Sequence, residues 1–176
     1  MYLARHLLGD LVHSWESRDF REGAPVGFLR YEERGEGIAF LSDALTRLMR
    51  LEPNATVAVV ARDSERATQY YRSLKQAETP KIRLVIHQDF TFSAGIDVTE
   101  VLQVKGLEYD YIVALDIDRQ HYPNKEESRH LLHVVATRAA HQLWLINLGE
   151  TQTSSLLPDE LIERGELDVP LTQVMS

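Results

Sequence analysis

The chain has 176 residues, 44% of them hydrophobic and 26% charged, a balance that suits one globular domain with one sizeable core and excludes wholesale disorder. No apolar run approaches the ~20 residues that span a bilayer, Arg5 and Asp10 interrupt the stretch where a signal peptide would stay apolar, and the absence of cysteine removes disulfides, Cys-based zinc sites and thiol catalysis. Nineteen Lys plus Arg (19) against 27 Asp plus Glu leave a net charge of −8, which repels a polyanion on average; a soluble, cytoplasmic protein is expected, with any nucleic-acid contact confined to a local basic groove or to another part of a longer chain.

Leu3, Leu7, Leu8, Leu11, Val12 and Trp15 recur at helical spacing, so an amphipathic helix opens the chain. Gly23, Pro25 and Gly27 punctuate, and Val26 to Tyr31 reads as a short strand. Leu41, Ala44, Leu45 and Leu48 mark a second helix, ended by Pro53 and Asn54. The run TVAVVA from Thr56 to Ala61 is continuous, β-branched and apolar, as a central strand covered on both faces must be.

Asp63 stands at an N-cap position, and Ala67, Tyr70, Tyr71 and Leu74 form the apolar stripe of the helix behind it. Ile82 to His87, Val98 to Leu102, Tyr111 to Leu115 and Leu143 to Asn147 supply further strands, giving the alternating rhythm of an α/β parallel sheet. Between Asn124 and Ala140 a helix with Leu131, Val134 and Val135 on one stripe delivers the chain into LWLIN. The division expected is a domain over residues 1–150 and a peripheral tail over 151–176, which holds Pro158 and a short amphipathic piece from Leu157 to Ile162.

Two segments could carry chemistry. Arg138 falls at helical spacing from Leu131, Val134 and Val135, on the same face as that core stripe, and a guanidinium there needs an anion: a carboxylate, the helix's own last carbonyls, or a ligand phosphate. In VLQVKGLEYDYIVAL, a strand breaks at Lys105 and Gly106 and another follows, leaving a turn that bears Lys105, Glu108 and Asp110. Its amides could approach an anion and its carboxylate a sugar hydroxyl, or the turn could simply be solvated.

Read together, TEVLQVKGLEYDYIVAL and ESRHLLHVVATRAAHQLWLI resemble motifs V and VI of UvrD/Rep-type superfamily 1 helicases, in that order. The family patterns run approximately TxHxxKGLEF and ERRLLYVAxTRAxxxLxL, and the resemblance covers about a third of the chain directly. It implies a RecA-like parallel sheet flanked by helices, the second motor domain of an ATP-dependent DNA helicase. Arg138 would be the arginine finger that reaches the γ-phosphate, with Thr137 helping to position it. Glu108 would contact the ribose, and Lys105 and Gly106 would shape the turn beside the phosphates.

The resemblance also implies ATP and Mg2+ as cofactors, single-stranded DNA as a partner of the whole protein, and an N-terminal P-loop motor domain to complete the site. No GK dipeptide occurs, so the GxxxxGK phosphate loop is lacking, and this chain alone is expected not to turn over ATP. It is expected to begin just after motif IV; the YRS of Tyr71 to Ser73 lies inside a predicted helix and reads as coincidence.

Aligned on KGLE, Glu100 and Leu102 stand where DNA helicases have the Thr and His of TxH. That departure makes the chain look similar to relatives that remodel RNA polymerase complexes, the first alternative; a non-enzymatic interaction domain is the second. His130 and His133 form HxxH with His141 further on, but no Cys, Asp or Glu is placed as a third ligand and no metal site is expected.

Overall fold

A computed structural model describes residues 26–159. The opening helix from Leu3 and the end of the tail beyond Asp159 lie outside the described residues. The strands are β1 (Val26–Tyr31), β2 (Thr56–Ala61), β3 (Ile82–Val85), β4 (Gly95–Glu100), β5 (Tyr109–Leu115) and β6 (Ala139–Leu148). The helices are α1 (Arg34–Leu51), α2 (Ser64–Gln76) and α3 (Glu126–Ala136). The strands form one six-stranded sheet in the order β1-β6-β5-β2-β4-β3, every adjacent pair parallel. This is the RecA-like α/β architecture expected. Among the described residues no helix is long and apolar enough to cross a membrane.

Period-two alternation sends each central strand into two cores. Val57, Val59 and Ala61 of β2 join α1 and α2 on one face, with Leu41, Leu45, Tyr70 and Leu74. Ala58 and Val60 join α3 on the other, with Leu131, Val135 and Ile112. Asp63 caps α2 as expected, its Oδ1 accepting the Arg66 backbone N–H at 2.9 Å. Gly27, read as punctuation, lies inside β1, where a Cβ would come within 2.9 Å of the Trp144 ring. Its lack of a side chain admits the indole.

Two boundaries differ in ways that matter. β4 begins three residues before Val98 because Asp97, a polar residue at 4% exposure, is neutralised inside the sheet by Arg83 Nε at 2.8 Å and by Tyr109 Oη at 3.1 Å. The helix expected to reach Ala140 stops at Ala136. Thr137 Oγ1 donates to the carbonyls of His133 and Val134, and the Arg138 N–H closes a tight last turn on Val135 O. Local Thr-to-backbone bonding ends the helix, so Arg138 does not extend the α3 stripe but stands in the link to β6. The segment expected to be peripheral carries Leu156 and Leu157 into the α3-side core, pinned where Ser154 Oγ donates to Tyr122 O at 2.6 Å.

Candidate functional site

Because the sheet is wholly parallel, a crossover that leaves one strand at its carboxyl end must return to the amino edge before the next begins. The link from β4 to β5 does this in eight positions (101–108), burying Val101 and Val104 against the α3-side core. Its carboxyl-edge start holds Leu102, 60% exposed. Its amino-edge end holds Lys105, Gly106 and Glu108, all exposed. Ligands usually gather in open α/β sheets outside the strands' carboxyl ends; this turn stands at the opposite edge.

Gly106 makes the turn with φ +84° and open space where a Cβ would stand, a conformation that disfavours other residues. The next two residues lead into β5, and β5 pairs with β6 so that Tyr109 faces Ala139. One step upstream, the Tyr109 N–H donates to the Arg138 carbonyl at 2.9 Å. The ends of the two sequence segments are thereby hydrogen-bonded neighbours, and Glu108, Thr137 and Arg138 share the amino edge of β5 and β6. A register shift between Tyr109 and Tyr111 ends regular pairing at this point.

Arg138 is half-buried, and among the described residues its buried Nε has no hydrogen-bond partner. A guanidinium stays charged at every ordinary pH, so the orphaned donor is a place where an anion would be welcome. His133, one helical turn earlier, is depressed below the usual His value by burial first, then by His130 and Arg138. Thr137 is exposed, its hydroxyl occupied in ending α3.

His141 is not brought together with His130 and His133 of α3. His141 lies on the other face of the sheet, edge-on to Tyr111 and 3.9 Å from Asp110. A cluster that sequence reasoning missed is Asp116, Asp118 and His121 after β5, with potential ligand atoms within 4.8 Å of one another. Each carboxylate oxygen there is already engaged: Asp116 by Tyr70 Oη at 2.5 Å and Arg66 Nε at 2.6 Å, Asp118 by His121 Nδ1 and two backbone N–H groups. The signal in the sequence was the DID that follows an apolar strand.

The family profile of the UvrD-like helicase C-terminal domain matches residues 95–146, from the start of β4 to near the end of β6. Over that segment the chain is similar to UvrD-like helicase C-terminal domains. It contains both the Lys105–Glu108 turn and Arg138. No curated protein matches the chain. Among solved structures, the C-terminal domain of a possible DNA helicase from Lactobacillus plantarum WCFS1 shares the fold, with a TM-score of 0.64 at 24% identity over 77% of this chain and 80% of that one.

Proposed function

We propose that this UvrD-like domain is the second motor half of an ATP-dependent DNA helicase or translocase, contributing Arg138 as arginine finger and Glu108 as ribose contact to an ATP site completed by a P-loop domain. The observation that carries the reading is the unpartnered, buried Nε of Arg138 at the amino edge, next to the Glu108 turn.

The residues present fit a nucleotide. Arg138 offers an unmet donor to a phosphate oxygen, Lys105 adds a second cation, and the open turn at Gly106 lets backbone approach closely. Bound ATP would supply the phosphoryl group, whose transfer to water develops charge on the equatorial oxygens. Arg138 would hold a fixed positive charge there, and Thr137 would fix where the Arg138 backbone leaves α3. Because charge placement dominates such catalysis, an arginine finger is worth about 10³–10⁵ in rate. Mg2+ and the attacking water fall to the P-loop partner, so this chain by itself is inactive.

Leu102, exposed, and Glu100, at the end of β4, favour a second reading in which the motor acts on RNA polymerase: an aliphatic chain and a carboxylate suit a protein surface better than a phosphodiester.

The test is ATP hydrolysis by this chain fused to the P-loop domain, with Arg138→Ala as control and single-stranded DNA added or withheld. Turnover that needs Arg138 and rises with DNA is the expected result. Turnover that ignores DNA, with polymerase retained in a pull-down, moves the reading to the polymerase. Full activity in Arg138→Ala removes the arginine finger altogether.

A further inference from the structure

Tyr109 meets Arg138 through its backbone, while its side chain leads the other way, toward the β3 edge of the sheet. Its ring belongs to the α3-side core together with Ile112, although strict alternation counted back from Ile112 turns Tyr109 to the opposite face. The register shift between Tyr109 and Tyr111 resolves the conflict. An irregularity in a strand re-aims a side chain, here toward a buried carboxylate: the Tyr109 hydroxyl donates to Asp97 Oδ2 at 3.1 Å, and Tyr109 is 6% exposed. Burial, then Asp97, holds this phenol far above the usual tyrosine range, so it remains a donor.

Asp97 is itself fixed. Arg83 Nε donates to its other oxygen at 2.8 Å, and the same guanidinium donates to Ser93 Oγ and to the carbonyls of Ser93 and Ala94. Gly95, at φ +133°, leaves room for it, since a Cβ there would stand 3.2 Å from both terminal nitrogens of Arg83. Beside Tyr109, Asp110 Oδ2 accepts from the Thr56 N–H at 2.9 Å. Side chains thus hold the head of β5 against β2 and β4. Toward β6 it reaches the Arg138 carbonyl by the Tyr109 N–H, at 2.9 Å.

We propose that Tyr109 is a positioning residue for Arg138: anchored to β4 by Asp97 and Arg83, it holds the carbonyl of the residue whose guanidinium is presented at the amino edge. This rests on the nucleotide reading above and adds to it the element that sets where Arg138 stands. Thr137 fixes the Arg138 backbone from the α3 side, and Tyr109 fixes it from the sheet. Without the hydroxyl, Asp97 Oδ2 loses its partner and the ring loses its anchor, so the strand head and the Arg138 carbonyl bound to it shift together.

The experiment compares the natural chain with Tyr109→Phe, Arg83→Lys, Arg138→Ala and, as a stability control at the opposite edge, Asp63→Ala. NMR follows the Arg138 Nε–H and the amides of 138–139, and a titration with inorganic triphosphate gives the affinity. Tyr109→Phe should shift the Arg138 signals and weaken triphosphate by roughly tenfold, within the range by which residues of one hydrogen-bond network affect each other. Arg83→Lys keeps a cation for Asp97 but drops the bonds to Ser93 and Ala94. It should act in the same direction to a smaller extent, and it carries the test if Tyr109→Phe does not fold. Asp63→Ala should do neither. Folded variants whose Arg138 signals and triphosphate affinity match the natural protein overturn the proposal, and the nucleotide reading survives if Arg138→Ala still abolishes binding. Asp63→Ala weakening triphosphate as much as Tyr109→Phe also overturns it, because the effect is then one of stability. If triphosphate ignores Arg138→Ala while Tyr109→Phe still moves the Arg138 signals, the nucleotide reading fails and the positioning of Arg138 stands.

Discussion

At the carboxyl edge of the sheet, Arg66 is met by Asp116 at 2.6 Å, Asp116 also by Tyr70, Asp118 by His121, and Arg62 by the His121 carbonyl and Glu127. At the amino edge, Lys105 and Glu108 stand in solvent and Arg138 keeps a buried Nε without a partner among the described residues. The strands that end in these two edges are the same. The protein closes a network of ions at one end of its sheet and leaves a guanidinium half-buried and unanswered at the other, within the segment whose sequence matches a helicase domain. Stability and function should therefore separate along the strand axis.

The largest effect on stability belongs to the closed edge. Asp116 is 1% exposed and holds both Arg66 and Tyr70. Burial and Asp116 raise the Tyr70 hydroxyl far above the usual tyrosine range, so it stays a donor. Asp116→Ala strands a mostly buried guanidinium and a buried hydroxyl, and unfolding in urea should show a loss of about 3–5 kcal/mol. If that variant proves as stable as the natural protein, the contrast between the edges is wrong.

A middle-sized effect tests the same edge through backbone chemistry. Asp63→Ala removes the acceptor for the Arg66 N–H at the start of α2, and a lost N-cap costs about 1 kcal/mol in the same assay. Asp63→Asn should recover most of it, because the amide oxygen can still accept.

These two carboxylates also measure how legible the chain was. Asp63 is readable because an N-cap is a local event: one side chain, one turn, the next helix. So is Thr56–Ala61, since a β-branched apolar run needs no distant information to be extended, and so is Val26–Tyr31, set off by the Gly and Pro before it; the observed bounds of both match the expected ones. Asp97 and Asp116 are different. Each is buried only because a partner from elsewhere in the chain, Arg83 or Arg66 with Tyr70, comes to it in the fold, and a linear pattern that scores polar residues as surface stops the strand at Asp97. The same limit explains Arg138. Its place on a helical stripe was an extrapolation of period 3.6 through Thr137, whose hydroxyl ends the helix. The family likeness, not the periodicity, marked it, while the juxtaposition of Glu108 with Arg138 depends on β5 pairing with β6.

The open edge predicts the reverse of Asp116. Arg138 has no bond from its Nε to lose, and removing an unsatisfied buried donor relieves a desolvation cost. Arg138→Ala should leave urea stability within about 0.5 kcal/mol of the natural protein, a small change that falls on the stabilising side if it falls on either. A loss of several kcal/mol would mean that Arg138 is a structural residue and that the amino edge is not open.

The smallest effect reads the electrostatics of that edge without disturbing it. His133 titrates below the usual His value because burial, His130 and Arg138 all disfavour its charged form. Since its folded value lies below the unfolded one of about 6.5, neutral His133 adds stability that is fully present above pH ~6.5 and is lost as the pH falls through the folded value. Arg138→Ala removes one of the three causes. The His133 ring resonance, followed by NMR against pH, should titrate higher in that variant, though still below the usual value while burial persists, and the loss of stability on acidification should become shallower. Triphosphate bound to the natural protein should move His133 the same way, because an anion at the guanidinium offsets the charge His133 feels. A His133 titration indifferent to both the substitution and the triphosphate would separate His133 from Arg138 and leave the anion with no seat at this edge.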